Sequence, residues 1–158
     1  MFESEIRGGL TQSVTRHFIA NNRYLPNFRS DEDSTFLGYF DANNLYGWAM
    51  SKKLPLNGFK WVDSSEFNNI LQTSEDSDIG FDLQFDCEYP ESVHHLHYDL
   101  PLLPKSEIPP GRMFPKLMAT LENKTKYVAH YCTVKQAIQQ GFIIKKIHRA
   151  IQFQQSCW

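Results

Sequence analysis

The sequence predicts an α/β (α+β) domain, with strands and helices in mixed order around a sheet and a proline-rich loop insertion between them. Three observations carry this expectation. Ile79 to Glu88 alternates, with Ile79, Phe81, Leu83, Phe85 and Cys87 on one side and Gly80, Asp82, Gln84, Asp86 and Glu88 on the other, as a half-buried strand requires. Helix signals are interleaved with strand-like runs. Five of the eight prolines fall between Pro101 and Pro115, which argues against regular structure there and for an extended surface segment. With 158 residues, 41% hydrophobic and 14% aromatic, the chain is large enough to bury a single core.

Taken in order, Gly8-Gly9 and the run TQSVTRHFIANNRY predict a tight turn followed by a helix. Thr35 to Phe40 is short, apolar and aromatic, which suits a buried strand ending at Asp41. Leu45, Trp48 and Ala49 then recur at helical spacing. Asp63-Ser-Ser-Glu66 has the pattern of a capping box, leading to Phe67, Ile70 and Leu71 on one helix face. Beyond the proline-rich span, Lys126 to Cys132 predicts a strand. Thr133 is the expected cap of a helix that buries Val134, Ala137 and Ile138 and stops at Gly141. Phe142 to Phe153 predicts a strand, although Ile143, Ile147 and Ile151 also suit a helix.

Composition narrows the function classes. Three cysteines without a C-x-x-C spacing argue against a disulfide framework and a zinc knuckle, and imply reduced thiols. The cluster His94-His95-Leu96-His97 has no second pair of ligands nearby, so zinc is not expected. The apolar runs are too short to span a membrane, and MFESEIRGG is acidic where a secretory signal would be basic. The expectation is an intracellular, unexported protein of nucleus or cytoplasm with no membrane partner. A net charge of -2 leaves no overall basic footprint. Locally, however, Lys116 to Arg149 holds Lys116, Lys124, Lys126, Lys135, Lys145, Lys146 and Arg149 against one acid, Glu122.

Asp41 has two readings. It caps the following helix, accepting from the amide of Asn43 or Asn44, or it presents a hard oxygen ligand to magnesium at a strand end. The flanking residues bear on the choice. DANNLYG resembles motif A of family B DNA-directed DNA polymerases, Asp-x-x-Ser-Leu-Tyr-Pro. The longer YFDANNLYGWAMSKKLP is similar to the version in protein-primed polymerases of viruses, mitochondrial plasmids and mobile elements of the Polinton or Maverick type.

The resemblance implies that Asp41 is a catalytic metal ligand, for one of two Mg2+ ions in the complete enzyme, and that Asn44, Leu45 and Tyr46 meet the incoming nucleotide. The Leu45-Tyr46 pair would floor its pocket. A tyrosine under the sugar would leave no space for a 2′-hydroxyl. Asn44 stands in the usual Ser slot and Gly47 in the usual Pro slot. Glu5-Ile-Arg-Gly-Gly9 resembles the Tyr-x-Gly-Gly motif that contacts template in these enzymes, with Ile6 in place of the Tyr. That implies DNA contact by Arg7, Gly8 and Gly9. Lys126 to Trp158 resembles the passage preceding motif B, where Lys145, Lys146 and Arg149 either meet phosphates or form a solvated strand face.

On this resemblance the chain is a partial polymerase palm with a mixed or antiparallel sheet. Residues 1–30 form a pre-palm segment with the Gly-Gly motif, and 31–72 the first part of the palm with motif A. Residues 73–120 form a strand plus the proline-rich insertion, and 121–158 a strand-helix-strand passage that stops before motif B. Implied partners are template and primer DNA, dNTPs and a priming terminal protein, the last assigned by position to Glu88–Pro115. Neither the Lys-x-x-x-Asn-Ser-x-x-Gly motif nor the Asp-Thr-Asp motif is found, so a fragment inactive on its own is expected. The alternatives are a non-catalytic nucleic-acid-binding or interaction module, and an unrelated metal-dependent hydrolase using Asp41 with Asp82, Asp86 and Glu88.

Overall fold

The computed structural model describes residues 1–157, so Trp158, where the last resemblance ends, lies outside the described residues. The chain divides into two compact units. One comprises Met1–Leu10 and the chain from Met50 onward, the other Thr11–Ala49. In chain order the elements are α1 (Phe2–Glu5), α2 (Leu45–Met50), β1 (Leu54–Trp61), a 3-10 turn (Ser64–Glu66), α3 (Phe67–Ile70), β2 (Ile79–Glu88) and α4 (Glu91–His97). They continue with β3 (Lys105–Glu107), β4 (Lys116–Met118), β5 (Lys124–His130), α5 (Tyr131–Gln139) and β6 (Ile143–Ser156). This is an α+β architecture. No helix among the described residues is long and apolar enough to cross a membrane.

The larger unit is built on a four-stranded sheet of order β1-β6-β2-β5 in which every pairing is antiparallel. Strand β2 has the predicted bounds because its alternation separates the two faces. Leu83 and Phe85 are fully buried, and the register sets them against Ala150 and Ile147 of β6 and Ala129 and Tyr127 of β5. This face is the core, closed by Ile70 of α3, Val134 and Ala137 of α5, and Phe142. The opposite face carries Gly80, Asp82, Gln84 and Asp86 of β2 beside Phe153, Arg149 and Lys146 of β6. Helix α1 covers its Gly80 end, the Phe2 ring lying 5.2 Å from Phe59 and 6.2 Å from Phe153.

Two local expectations are met, one in part and one in full. Of the capping box, the Asp63 carboxylate accepts from the Ser65 amide at 2.9 Å and caps the 3-10 turn that leads into α3, whereas no bond from the Glu66 side chain back to Asp63 forms among the described residues. Helix α5 ends in a Schellman motif: Phe142 N–H donates to the Ala137 carbonyl and Gly141 N–H to that of Ile138. Gly141 has φ +94, a conformation that favours glycine.

Other expectations are corrected. TQSVTRHFIANNRY forms no helix; the smaller unit is organised by the buried Asn21 and Asn22. The Asn21 amide nitrogen donates to the carbonyls of Arg29 and Asp33 at 2.9 and 3.2 Å, and its oxygen accepts from the Arg29 amide at 2.9 Å. Thr35 to Phe40 is neither a strand nor buried, with Tyr39 94% and Phe40 93% exposed. A strand needs a ladder, and the backbone amide of Thr35 goes instead to the Asn21 carbonyl at 2.6 Å.

The span Pro101–Pro115 is not wholly irregular or surface-lying. Lys105–Glu107 pairs with Lys116–Met118, and Pro101 and Leu103 are buried. Helix α5 begins at Tyr131, with His130 rather than Thr133 at its cap position. Strand β1 and helix α4 had no counterpart in the expected elements.

Replacing Gly141 by Ala would force the left-handed conformation on an L residue and set its Cβ 2.8 Å from Val93 Cγ1. Gly141→Ala is expected to cost about 2 kcal/mol in urea unfolding. An unchanged midpoint would contradict this account of the α5 terminus.

Candidate functional site

Asp41 does not cap the helix that follows it. Asn44 does: its Oδ1 accepts from the amide of Gly47 at 3.2 Å, and its carbonyl accepts the first helical bond, from Trp48, at 3.0 Å. Asn44 has φ +53, which asparagine tolerates better than most residues. A Cβ on Gly47 would stand 2.3 Å from the Asn44 amide nitrogen. Asn44 and Gly47, the two departures from the polymerase pattern, therefore form one device. The cap needs the space that glycine leaves.

With the cap supplied by Asn44, the Asp41 carboxylate is exposed, and no hydrogen bond or ion pair engages it among the described residues. Leu45 and Tyr46 follow as the first two helical residues, 57% and 88% exposed. Asp41 thus lies in irregular chain three residues before the cap, while Asn44, Leu45 and Tyr46 form the start of α2, with the Asn44 oxygen already committed to the backbone. A free carboxylate is a suitable hard donor for Mg2+. It is one donor, however, and among the described residues no group of three or more His, Cys, Asp or Glu side chains is placed to hold a metal ion.

The other expected contacts lie in the larger unit. Arg7 is occupied internally: its guanidinium donates to the carbonyl of Val128 at 2.8 Å and of Glu5 at 3.0 Å, and lies 4.2 Å from the Tyr127 ring centroid. Gly8 and Gly9 have open space beside them, since an added Cβ would meet nothing within 4 Å. No internal contact therefore explains why these two positions lack side chains.

On β6 two of the basic side chains are answered by acids of β2. Lys145 pairs with Glu88, and His148 Nε2 lies 2.8 Å from Asp86 Oδ2 off the hydrogen-bonding direction. The Lys126 amide donates to Asp86 Oδ1 at 2.7 Å. That bond first, and then His148, holds the Asp86 carboxyl below its usual range. Arg149 donates to Gln84 Oε1 at 3.0 Å and lies 5.4 Å from the Trp61 ring centroid. Lys146 stands opposite Asp86 in register and is exposed.

Trp61 is a feature that sequence reasoning missed. It is 59% exposed, and its position opposite Ile151 sets it on the partly open face. The segment FKW could have revealed it, had Leu54–Trp61 been read as a strand. The histidine cluster packs against aromatics: Tyr89 meets His94 at 5.1 Å, His97 at 5.6 Å and Phe142 at 4.0 Å. Of the acids in the hydrolase reading, Asp82 is buried under α1, while Asp86 lies against His148 and Glu88 pairs with Lys145 of β6.

Comparison with protein-family models, curated proteins and solved structures finds no match to this chain.

Asn44→Ala removes the cap of α2 and is expected to cost that turn about 1 kcal/mol. Amide exchange at Trp48 should then accelerate roughly fivefold, a factor that follows from the same cost. Gly47→Ala should act in the same direction by displacing the Asn44 amide. Unaltered exchange in both variants would remove Asn44 from the capping role and return Asp41 to it.

Proposed function

We propose that the chain carries part of the palm of a DNA-directed DNA polymerase of family B, protein-primed type. The observation that carries this reading is YFDANNLYGWAMSKKLP, together with an Asp41 carboxylate left unengaged because Asn44 takes the cap. In this reading Asp41 supplies one ligand to the magnesium ions. When bound, those ions would neutralise charge on the attacking and leaving oxygens of nucleotidyl transfer. Leu45 and Tyr46 would form the surface under the deoxyribose, and the hydroxyl of a primer or priming protein would be the nucleophile. A single free carboxylate cannot complete a two-metal site, so this region would bind nucleotide without turning it over.

A second reading, a non-catalytic nucleic-acid-binding module, is favoured by the partly open sheet face. There Arg149 lies over the exposed Trp61 beside Lys146, a combination of cation and aromatic suited to single strands. The two readings differ in which residues binding depends on.

Equilibrium binding of a dNTP in the presence of Mg2+ separates them. The polymerase reading expects Asp41→Asn to weaken binding at least tenfold, about 1.4 kcal/mol. It also expects Tyr46→Ala to reduce the preference for deoxy- over ribonucleotide. Nucleotide binding indifferent to Asp41, with oligonucleotide binding lost in Lys146→Ala and Arg149→Ala, would replace the first reading with the second.

A further inference from the structure

Asp82 is 1% exposed at the centre of the sheet, and neither of its carboxylate oxygens meets a hydrogen-bond donor. Helix α1 is held over this face by Phe2 against Phe153 and by Arg7 against Val128 and Tyr127 of β5, and the acid it carries there is the half-buried Glu5, whose carboxyl bears on Asp82. Two ionised carboxylates facing each other in a covered site are not tolerable, whereas one proton between them converts repulsion into a hydrogen bond.

The surroundings offer little other compensation. His130 stands opposite Asp82 on β5, but its Nε2 is 3.1 Å from Gln155 Oε1, and burial pulls its pKa down, which keeps it neutral. Ile151, opposite on β6, is apolar. The Arg7 guanidinium is held by the carbonyls of Glu5 and Val128 over the Tyr127 ring. Among the described residues, the Met1 amino group alone lends the ionised form of Asp82 support.

We propose that the segment Phe2–Arg7 is a proton-dependent strap, docked on the sheet by a proton shared between Glu5 and Asp82 and released when that proton is lost. The rest of the dock is modest and reversible: Phe2 against Phe59 and Phe153, and Arg7 against the edge of β5. Release would free the Arg7 guanidinium and uncover Phe153 and Asp82. The sheet face from Gly80 to Asp86 would then be continuous with its open end. This inference does not depend on the polymerase reading.

Burial first, and then the Glu5 carboxyl, push the Asp82 pKa from 3.8 up to about 8. The folded value is raised, so the docked state binds the extra proton. Docking is strongest below the ordinary carboxylate range, weakens as pH rises through the interval, and loses this contribution above about 8.

The Arg7–Gly8 bond gives a readout specific to the strap, because trypsin requires a released Arg7. Cleavage of the full chain at this bond is measured from pH 6.5 to 8.5 as a ratio to D82N, whose amide keeps the shape without the titration. Where docking binds one more proton, the release constant changes by up to tenfold per pH unit. The ratio should therefore rise by more than tenfold across the range, and E5Q, which takes away the second carboxyl but leaves Asp82 buried, should make the rise smaller. A peptide spanning residues 1–12, in which Arg7 is always free, serves as the reference should D82N fail to fold. A ratio that stays flat would overturn the proposal. Protection of the wild type at pH 8.5 by Mg2+ or Ca2+ would also overturn it, because the pair would then be a cation site rather than a proton-held dock.

Discussion

The antiparallel pairing of β2 with β6, running from Ile79↔Gln154 to Glu88↔Ile143, is the constraint on which the larger unit depends. Strand β6 also carries β1, and β2 also carries β5, so both edge strands are held by this central pair. Its side chains divide the unit into two chemistries. One face buries Leu83, Phe85, Ile147 and Ala150 beneath α3 and α5, where loss of apolar contact with water supplies the main driving force. The other face sets Asp86 and Glu88 near Lys146, Lys145 and His148, and Asp82 beneath α1. The polar half of the β2 alternation is therefore more than a solvated surface. It faces the basic side chains of β6 at one end and lies beneath the N-terminal segment at the other.

The same division shapes the functional readings. Of the cations expected to meet phosphates, Arg7 and Lys145 are engaged inside the chain, while Lys146 and the Arg149–Trp61 pair remain on the partly open face. In the smaller unit the outcome is the reverse. Asp41 is left unengaged, because Asn44 and Gly47 together form the cap of α2. The two positions that depart from the polymerase pattern thus have a local structural reason, and Asp41, which matches it, has no internal partner among the described residues.

How much could be read from residues depended on whether each pattern recorded burial. Strand β2 was legible because both its neighbours are strands, so its alternation is the sheet's own. Strand β6 looked ambiguous between strand and helix for a physical reason: register shifts near Gln84/Phe85 and Asp86/Cys87 bring Ile144, Ile147 and Ala150 to the core at intervals of three. Strand β1 left no pattern, since all eight of its residues are exposed at the sheet edge. Thr35 to Phe40 misled because an aromatic run normally signals burial, whereas here Asn21 takes the backbone of Thr35. At the candidate site, Asp41, Asn43 and Asn44 are all good cap residues, and the deciding feature was the glycine three positions after Asn44. Neither the Asp82–Glu5 pair nor the capture of Arg7 was legible, because both depend on which strand lies under α1.

The central claim is that Asp41 and the Leu45-Tyr46 pair together hold a metal-bound nucleotide. Its most direct test is paramagnetic broadening of backbone amide signals by Mn2+ in the presence and absence of a dNTP. The account predicts broadening concentrated on residues 41–46 only when both are present, and lost in Asp41→Asn. Broadening that centres instead on Asp76, Asp78 or Glu88, or that persists unchanged without the Asp41 carboxylate, would contradict it.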